Sequence, residues 1–329
     1  MDSDDFSRRG FLQTARQEML AASTTPETAP NQTGRDPRRQ GSQRHKLGKL
    51  HAYEGLRYGM FIHFGIATYG QPVTPASQPD ASVFAPELLD VSQWISVARD
   101  AGMKYAVLTA KHISGHCLWP SKHTDYTVAN SKNRADVVGA FVRACEKRGI
   151  LPGLYYCSED YHHRFGSVCR DEPGGPFTTS AYQTFQTAQI TELLTNYGRI
   201  MEVWIDIPGT LGRGYRSFLY KHIASLQPDA FIMMNNGDFT SGENYNVEYA
   251  WPSDLIAIER NLPPPSGHEK WRTIEGKEYY LPGEVCDPIG NEWFYAPQDP
   301  PRPDAALLDQ FEACRARGVN LLLNVPPDP

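Results

Sequence analysis

From residue 48 onward the chain alternates short apolar runs with segments of helical period. The runs "YAVLTAK" (105–111), "LPGLYYC" (151–157), "EVWIDI" (202–207) and "AFIMMN" (230–235) predict buried strands, and "GMFIHFGI" (59–66) and "NLLLNV" (320–325) read the same way. Between them, "DVSQWISVARDAGM" (90–103) places Val91, Trp94, Ile95, Val97 and Ala98 at helical spacing and stops at Gly102. Helices are likewise predicted over 135–149, opened by Asp136 and closed by Gly149, and over 180–198, capped by Ser180 and closed by Gly198. Two more cover 215–228, stopped by Pro228, and 304–318. Strand–helix alternation implies parallel strands joined by right-handed crossovers. No GxGxxG or GxxxxGK[ST] follows the first strand, which argues against an open nucleotide-binding sheet. The length beyond residue 48 fits a closed (β/α)8 barrel of about 250 residues. Residues 236–300 have no clear period; they hold "SDLIAIER" and "YYLPGEVCD" among loops rich in Pro and Gly.

Alternation within "EVWIDI" sets Trp204 and Asp206 on one face of a buried strand. A carboxylate there needs a partner, water or a task. Barrel active sites lie at the C-terminal ends of the strands. Polar groups collect at those ends: His63 in the first strand, His112 after the second, Tyr155 and Tyr156 in the third, Asp206 in the fourth and Asn235–Asn236 after the fifth. Five successive ends carrying such groups predict a catalytic or ligand-binding site.

Composition narrows its chemistry. With 40% hydrophobic and 21% charged residues and a net charge of −6, the 329-residue chain has a globular composition and gives no hint of nucleic-acid binding, which wants a basic face. No apolar run approaches the roughly 20 residues of a membrane-spanning helix. HxH, HExxH and GxSxG are absent, so neither a metal or other cofactor nor a serine triad is expected. The six cysteines form no CxxC pair, and mostly buried free thiols with at most one disulfide are expected. Two carboxylates flanking a sugar, with aromatic rings from Trp119, Tyr155, Tyr156, Trp204 and Trp293, fit better, although any single one of these rings is more often core. The partner would then be an oligosaccharide or glycoconjugate. Residues 1–47 differ from the rest: "SRRGFLQTA" (7–15) resembles a twin-arginine export signal, although Arg16, Gln17 and Glu18 interrupt the apolar stretch such a signal needs. The expected location is periplasmic or secreted if the signal works and cytoplasmic if it does not, with residues 48–329 forming one catalytic domain.

The segments "YGMFIHFGI", "YAVLTAKH…CLWPSKHTDY", "DVVGAFVRACEKRGILPGLYY", "ITELLTNYGRIMEVWID" and "GVNLLLNVPPD" together resemble glycoside hydrolase family 29, the α-L-fucosidases, from about residue 55 to the end. The resemblance implies a (β/α)8-like barrel and retaining double displacement. It implies that Asp206 is the nucleophile, that His63, His112 and Trp204 bind the sugar, and that the family's strand-three tyrosine falls on Tyr155 or Tyr156. "YYLPGEVCDPIGNEWFY" resembles the family segment with a glutamate ahead of "WFY", which makes Glu284 the expected acid/base, with Glu248, Glu259 and Glu243 as alternatives. The chain departs from the family pattern where "AKHISGH" stands for "AKHHDGF": Ile113 replaces a sugar-binding histidine and Ser114 an acid. The "EW" pair after the first strand and the arginine after the fifth are also missing. The chain ends at Pro329, ahead of the family's usual C-terminal β-sandwich, which predicts a single-domain variant or a shortened chain. Three functions follow: an exo-acting α-L-fucosidase, the same mechanism on a related sugar such as an α-L-galactoside, or an inactive carbohydrate-binding protein.

Overall fold

The computed structural model describes residues 39–70, 73–74, 77–164, 178–235 and 245–329. Helix α1 (Leu47–Glu54) leads into strand β1 (Tyr58–Ile62). The alternation then follows as read: α2 (Val91–Asp100), β2 (Tyr105–Lys111), α3 (Val137–Arg148), β3 (Leu151–Cys157), α4 (Ser180–Asn196), β4 (Glu202–Asp206), α5 (Arg213–Leu226) and β5 (Phe231–Met234). The stretch without clear period resolves into a one-turn helix α6 (Val247–Ala250), β6 (Ile256–Glu259), a hairpin of β7 (Trp271–Ile274) and β8 (Lys277–Tyr280), and β9 (Gly283–Pro288). Helix α7 (Asp304–Ala316) and β10 (Asn320–Asn324) complete the described elements.

Eight strands form one parallel sheet in the order β5-β4-β3-β2-β1-β10-β9-β6. That is chain order carried round a ring, with the β7–β8 hairpin standing where a crossover helix would lie between β6 and β9. The ring nearly closes between its end strands, where the amide of Asp254 donates to the carbonyl of Ile232 at 2.8 Å. The expected (β/α)8-like barrel is therefore the fold. Ahead of the expected boundary at residue 48, the Arg44 guanidinium donates to the carbonyls of Pro228 and Ala230 and pairs with Asp254.

Strand alternation divides the core in two. Phe61, Val107, Tyr155, Trp204, Met233 and Leu322 fill the barrel interior. Their neighbours Met60, Leu108, Tyr156, Val203, Ile232 and Leu323 pack outward in the layer between sheet and helices. A β-bulge interrupts this order in β2: Thr109 pairs with Tyr155, but Lys111 pairs with Tyr156. The extra residue turns Lys111 outward and brings His112 to the inner face. Lys111 is fully buried there and pairs with the equally buried Asp160 at 2.9 Å, with its ammonium 4.4 Å from the Tyr156 ring centroid. Burial pushes the Asp160 carboxyl up, but Lys111 and His163 outweigh that and hold it well below the usual carboxylate range. Removing one partner of such a pair strands the other charge, so Lys111→Met is expected to cost about 3–5 kcal/mol in denaturant unfolding. A change below about 1 kcal/mol would show that the pair does not anchor the bulge.

Candidate active site

Asp206 ends β4 on the inner face, held by three donors. Its Oδ1 accepts from the amide of Ile207 at 2.9 Å and from Asn235 Nδ2 at 2.8 Å. Its Oδ2 accepts from the Tyr155 hydroxyl at 2.5 Å. Burial and the adjacent carboxylate push the Tyr155 phenol well above its ordinary pKa, so it stays a donor. Asn235 Nδ2 also donates to Glu259 Oε2 at 3.3 Å. One nitrogen thus links two carboxylates, and the two bridged oxygens are at most about 6 Å apart. Both acids end an inner-face strand, and each is followed by a non-glycine residue in the left-handed region: Ile207 at φ 50° and Arg260 at φ 51°. Such residues are uncommon there and cluster at functional sites.

His63 and His112 face these acids, with ring centroids 5.5 Å apart. His63 Nδ1 lies 2.8 Å from Asn324 Oδ1, while Asn324 Nδ2 donates to the carbonyl of Trp293 at 2.8 Å. Because the amide nitrogen is engaged elsewhere, the oxygen faces His63. The proton is therefore assigned to Nδ1, which leaves Nε2 as an acceptor. Burial, reinforced by His112, holds the His63 imidazole well below its ordinary pKa. In His112, burial and Lys111 outweigh the pull of Asp206 and lower the pKa to about 4. Both rings are thus neutral near neutral pH and available to hydroxyl groups. His112 stacks on Tyr155 at 5.5 Å and 13°, and Tyr155 stacks on Trp204 at 5.6 Å and 23°. Trp293 and Phe294 close the wall beside His63 at 5.0 and 5.4 Å. The cleft is lined by Phe61, His63, His112, Tyr155, Trp204, Asp206, Asn235, Glu259, Cys286 and Trp293. A larger apolar cavity of about 540 Å³, walled by Tyr53, Leu151, Met201 and Phe231, lies at the opposite end of the barrel, away from these acids.

Of the predicted residues, the structure brings together Asp206, His63, His112, Tyr155, Trp204 and the alternative acid Glu259. Three others must be corrected. Glu284 is the second residue of β9, at the N-terminal end of the barrel, fully enclosed and bonded to Tyr53, Tyr105 and Trp204. No leaving group reaches it, so the acid/base expectation for Glu284 fails on position. Tyr156 points outward, its hydroxyl donating to Gln189 of α4 at 2.7 Å. Trp119 is buried outside the barrel and donates to Glu192 at 3.0 Å. Glu248 is exposed on α6, beside the turn at Pro208–Leu211 that follows Asp206. Glu243 and Asn236 lie outside the described residues. Ile113 and Ser114 occupy the rim beside His112, where Ile113 packs on the interior cluster and the Ser114 hydroxyl accepts the amide of His116. Sequence reasoning missed Asn324, whose signal was an amide directly after the three leucines of "NLLLN", at the C-terminal end of the strand. Among the described residues no group of three or more His, Cys, Asp or Glu could hold a metal ion, and the five described cysteines are free and buried.

The family model described as Alpha-L-fucosidase matches residues 68–329. Alpha-L-fucosidase 1 of Arabidopsis thaliana is 34% identical over 281 residues, covering 82% of this chain and 53% of that protein. The chain spans about half the length of the curated relatives it matches first. Alpha-L-fucosidase isoenzyme 1 from Paenibacillus thiaminolyticus superimposes with a TM-score of 0.69 at 28% identity, covering 86% of this chain and 70% of that one. A glycoside hydrolase 29 family member from an unknown rumen bacterium gives a TM-score of 0.67 at 28% identity, covering 85% and 53%. By its sequence match and its barrel, this chain belongs to the α-L-fucosidase family.

Proposed function

We propose that this chain hydrolyses α-L-fucosides from the non-reducing end with retention of configuration, with Asp206 as nucleophile and Glu259 as acid/base. The Asn235 bridge carries the reading. It keeps one oxygen of each carboxylate within about 6 Å of the other, near the 5–5.5 Å of retaining pairs and short of the 6.5–9.5 Å that leaves room for an inverting water. In this mechanism Asp206 attacks the anomeric carbon while Glu259 protonates the departing oxygen. Glu259 then takes a proton from water, which displaces Asp206 from the sugar. His63 Nε2 accepts a sugar hydroxyl, and the stacked rings of His112, Tyr155 and Trp204 keep Asp206 and its donors fixed. The substrate is a fucosylated oligosaccharide or glycoconjugate.

The second reading, an α-L-galactoside, is favoured by Ile113 and Ser114, which stand where the family pattern has a histidine and an acid. That sugar carries one more hydroxyl, which an apolar wall rejects only about 100-fold. Aryl α-L-fucoside and α-L-galactoside assayed side by side separate the cases. A higher kcat/KM on the fucoside supports the first reading, the reverse order supports the second, and no turnover of either leaves a binding protein.

We also propose that "SRRGFLQTA" directs export of the folded chain. Replacing Arg8 and Arg9 with lysine is expected to retain the protein in the cytoplasm. Export of that variant at the parental level would exclude a twin-arginine signal.

A further inference from the structure

Two strand residues below the cleft, the barrel interior holds a second pair of acids. Glu202 at the start of β4 and Glu284 near the start of β9 are both fully buried. Two glycines make room for this layer. A Cβ on Gly153 would stand 2.9 Å from Val107 and 3.3 Å from the Cβ of Glu202, and one on Gly59 would stand 2.6 Å from the Tyr105 ring. Glu284 Oε2 accepts the hydroxyls of Tyr53 at 2.7 Å and Tyr105 at 2.6 Å, and its Oε1 accepts Trp204 Nε1 at 3.1 Å. Glu202 lies close enough to Glu284 for that carboxylate to raise it. Neither Glu202 oxygen has a hydrogen-bond partner. Among the described ion pairs, none involves either acid.

Two neighbouring buried carboxyl groups do not both ionise, so one holds a proton. Three neutral donors point at Glu284 and none at Glu202, so the proton belongs on Glu202 and the charge on Glu284. We propose that Glu284 is a buried anion in the barrel interior, beside a protonated Glu202, that stabilises the positive charge developing on the sugar ring in the transition state. Burial and the neighbouring Glu284 raise the Glu202 carboxyl well above its ordinary range, in the same sense. Burial also raises Glu284, against the opposing hydrogen bonds from Tyr105, Tyr53 and Trp204. The placement suits the role. Trp204 lies two residues before Asp206, and Glu284 two residues before the cleft residue Cys286, so the anion sits about 7 Å of strand below the floor. A glycosidase transition state has oxocarbenium character. Over about 10 Å at an effective dielectric of about 20, a unit charge changes such a species by roughly tenfold. This inference rests on the functional reading above.

The test compares a fucose-configured iminosugar, cationic at neutral pH, with neutral L-fucose. Their dissociation constants are measured on the parent, Glu284→Gln and Glu202→Gln, together with kcat on an aryl α-L-fucoside. Glu284→Gln is expected to lose about tenfold in preference for the cation and about tenfold in kcat, with L-fucose affinity within about twofold. Glu202→Gln, which puts an uncharged amide in place of an uncharged carboxylic acid, is expected to keep the parental preference. An unchanged preference in Glu284→Gln, or an equal loss in Glu202→Gln, would overturn the assignment. A parent that neither turns over the fucoside nor binds L-fucose would instead defeat the functional reading. Should Glu284→Gln not fold, the infrared difference between ¹³C-glutamate-labelled parent and Glu202→Gln decides the charge. Loss of a carboxylic-acid carbonyl band places the proton on Glu202, and loss of a carboxylate band overturns the proposal.

Discussion

Replacing Asp206 with alanine is expected to lower kcat on an aryl α-L-fucoside by at least about 10⁴-fold, because it removes the covalent route itself. Three donors converge on the carboxylate: the Ile207 amide, Asn235 and Tyr155. Hydrogen bonds of that number fix a group in place and are made before substrate arrives, so little reorganisation is left for the reaction. Azide entering the vacated space would attack the same face of the sugar that Asp206 attacks. The rescued variant is therefore expected to release the β-L-fucosyl azide, inverted relative to its α-linked substrate. Near-parental turnover in Asp206→Ala, measured on protein whose circular dichroism matches the parent, would return Asp206 to a structural role.

Glu259→Ala is expected to show the next largest effect, and a selective one. General acid catalysis is worth about 10²–10⁴-fold and is needed most when the leaving group is poor. Natural fucosides should lose activity within that range, while aryl fucosides with acidic phenols should keep a fast first step and then stall at the glycosyl-enzyme. Azide would attack that intermediate from the opposite face and give the α-L-fucosyl azide. The anomer of the azide product thus separates the two carboxylates in a single experiment. If instead Glu248→Ala or Glu243→Ala shows the leaving-group dependence and the α-azide, the acid/base role moves there. The cleft and the role of Asp206 would stand.

Much of this molecule was legible because a parallel barrel writes itself as short, continuous apolar runs between runs of period 3.6. The runs at 105–111 and 151–157 match β2 and β3 residue for residue. "EVWIDI" was informative for a specific reason: an acid interrupts an apolar strand at the end where barrels keep their chemistry. "IAIER" carries the same signal at Glu259, obscured because β6 has only four residues and lies among Pro-rich loops. The errors share a cause as well. Strands buried on both faces do not say which face is inner, so adjacent Tyr155 and Tyr156 could not be told apart, although one bonds Asp206 and the other Gln189. Glu284 was misjudged because strand ends cannot be fixed within "YYLPGEVCDP". A shift of four residues along β9 separates the floor of the barrel from its mouth. His112 reaches the cleft only through the bulge in β2, which no period predicts. The bridging amide of Asn235 and the tautomer-setting amide of Asn324 are contacts across the sheet, invisible in a linear reading.

The central claim is retention through a carboxylate pair held close by Asn235. Its most direct test follows the hydrolysis of an aryl α-L-fucoside by time-resolved proton NMR before mutarotation mixes the anomers. The pair spacing predicts α-L-fucose as the first product. Initial release of β-L-fucose would contradict the account, because inversion requires a water between acids set farther apart than the Asn235 bridge allows.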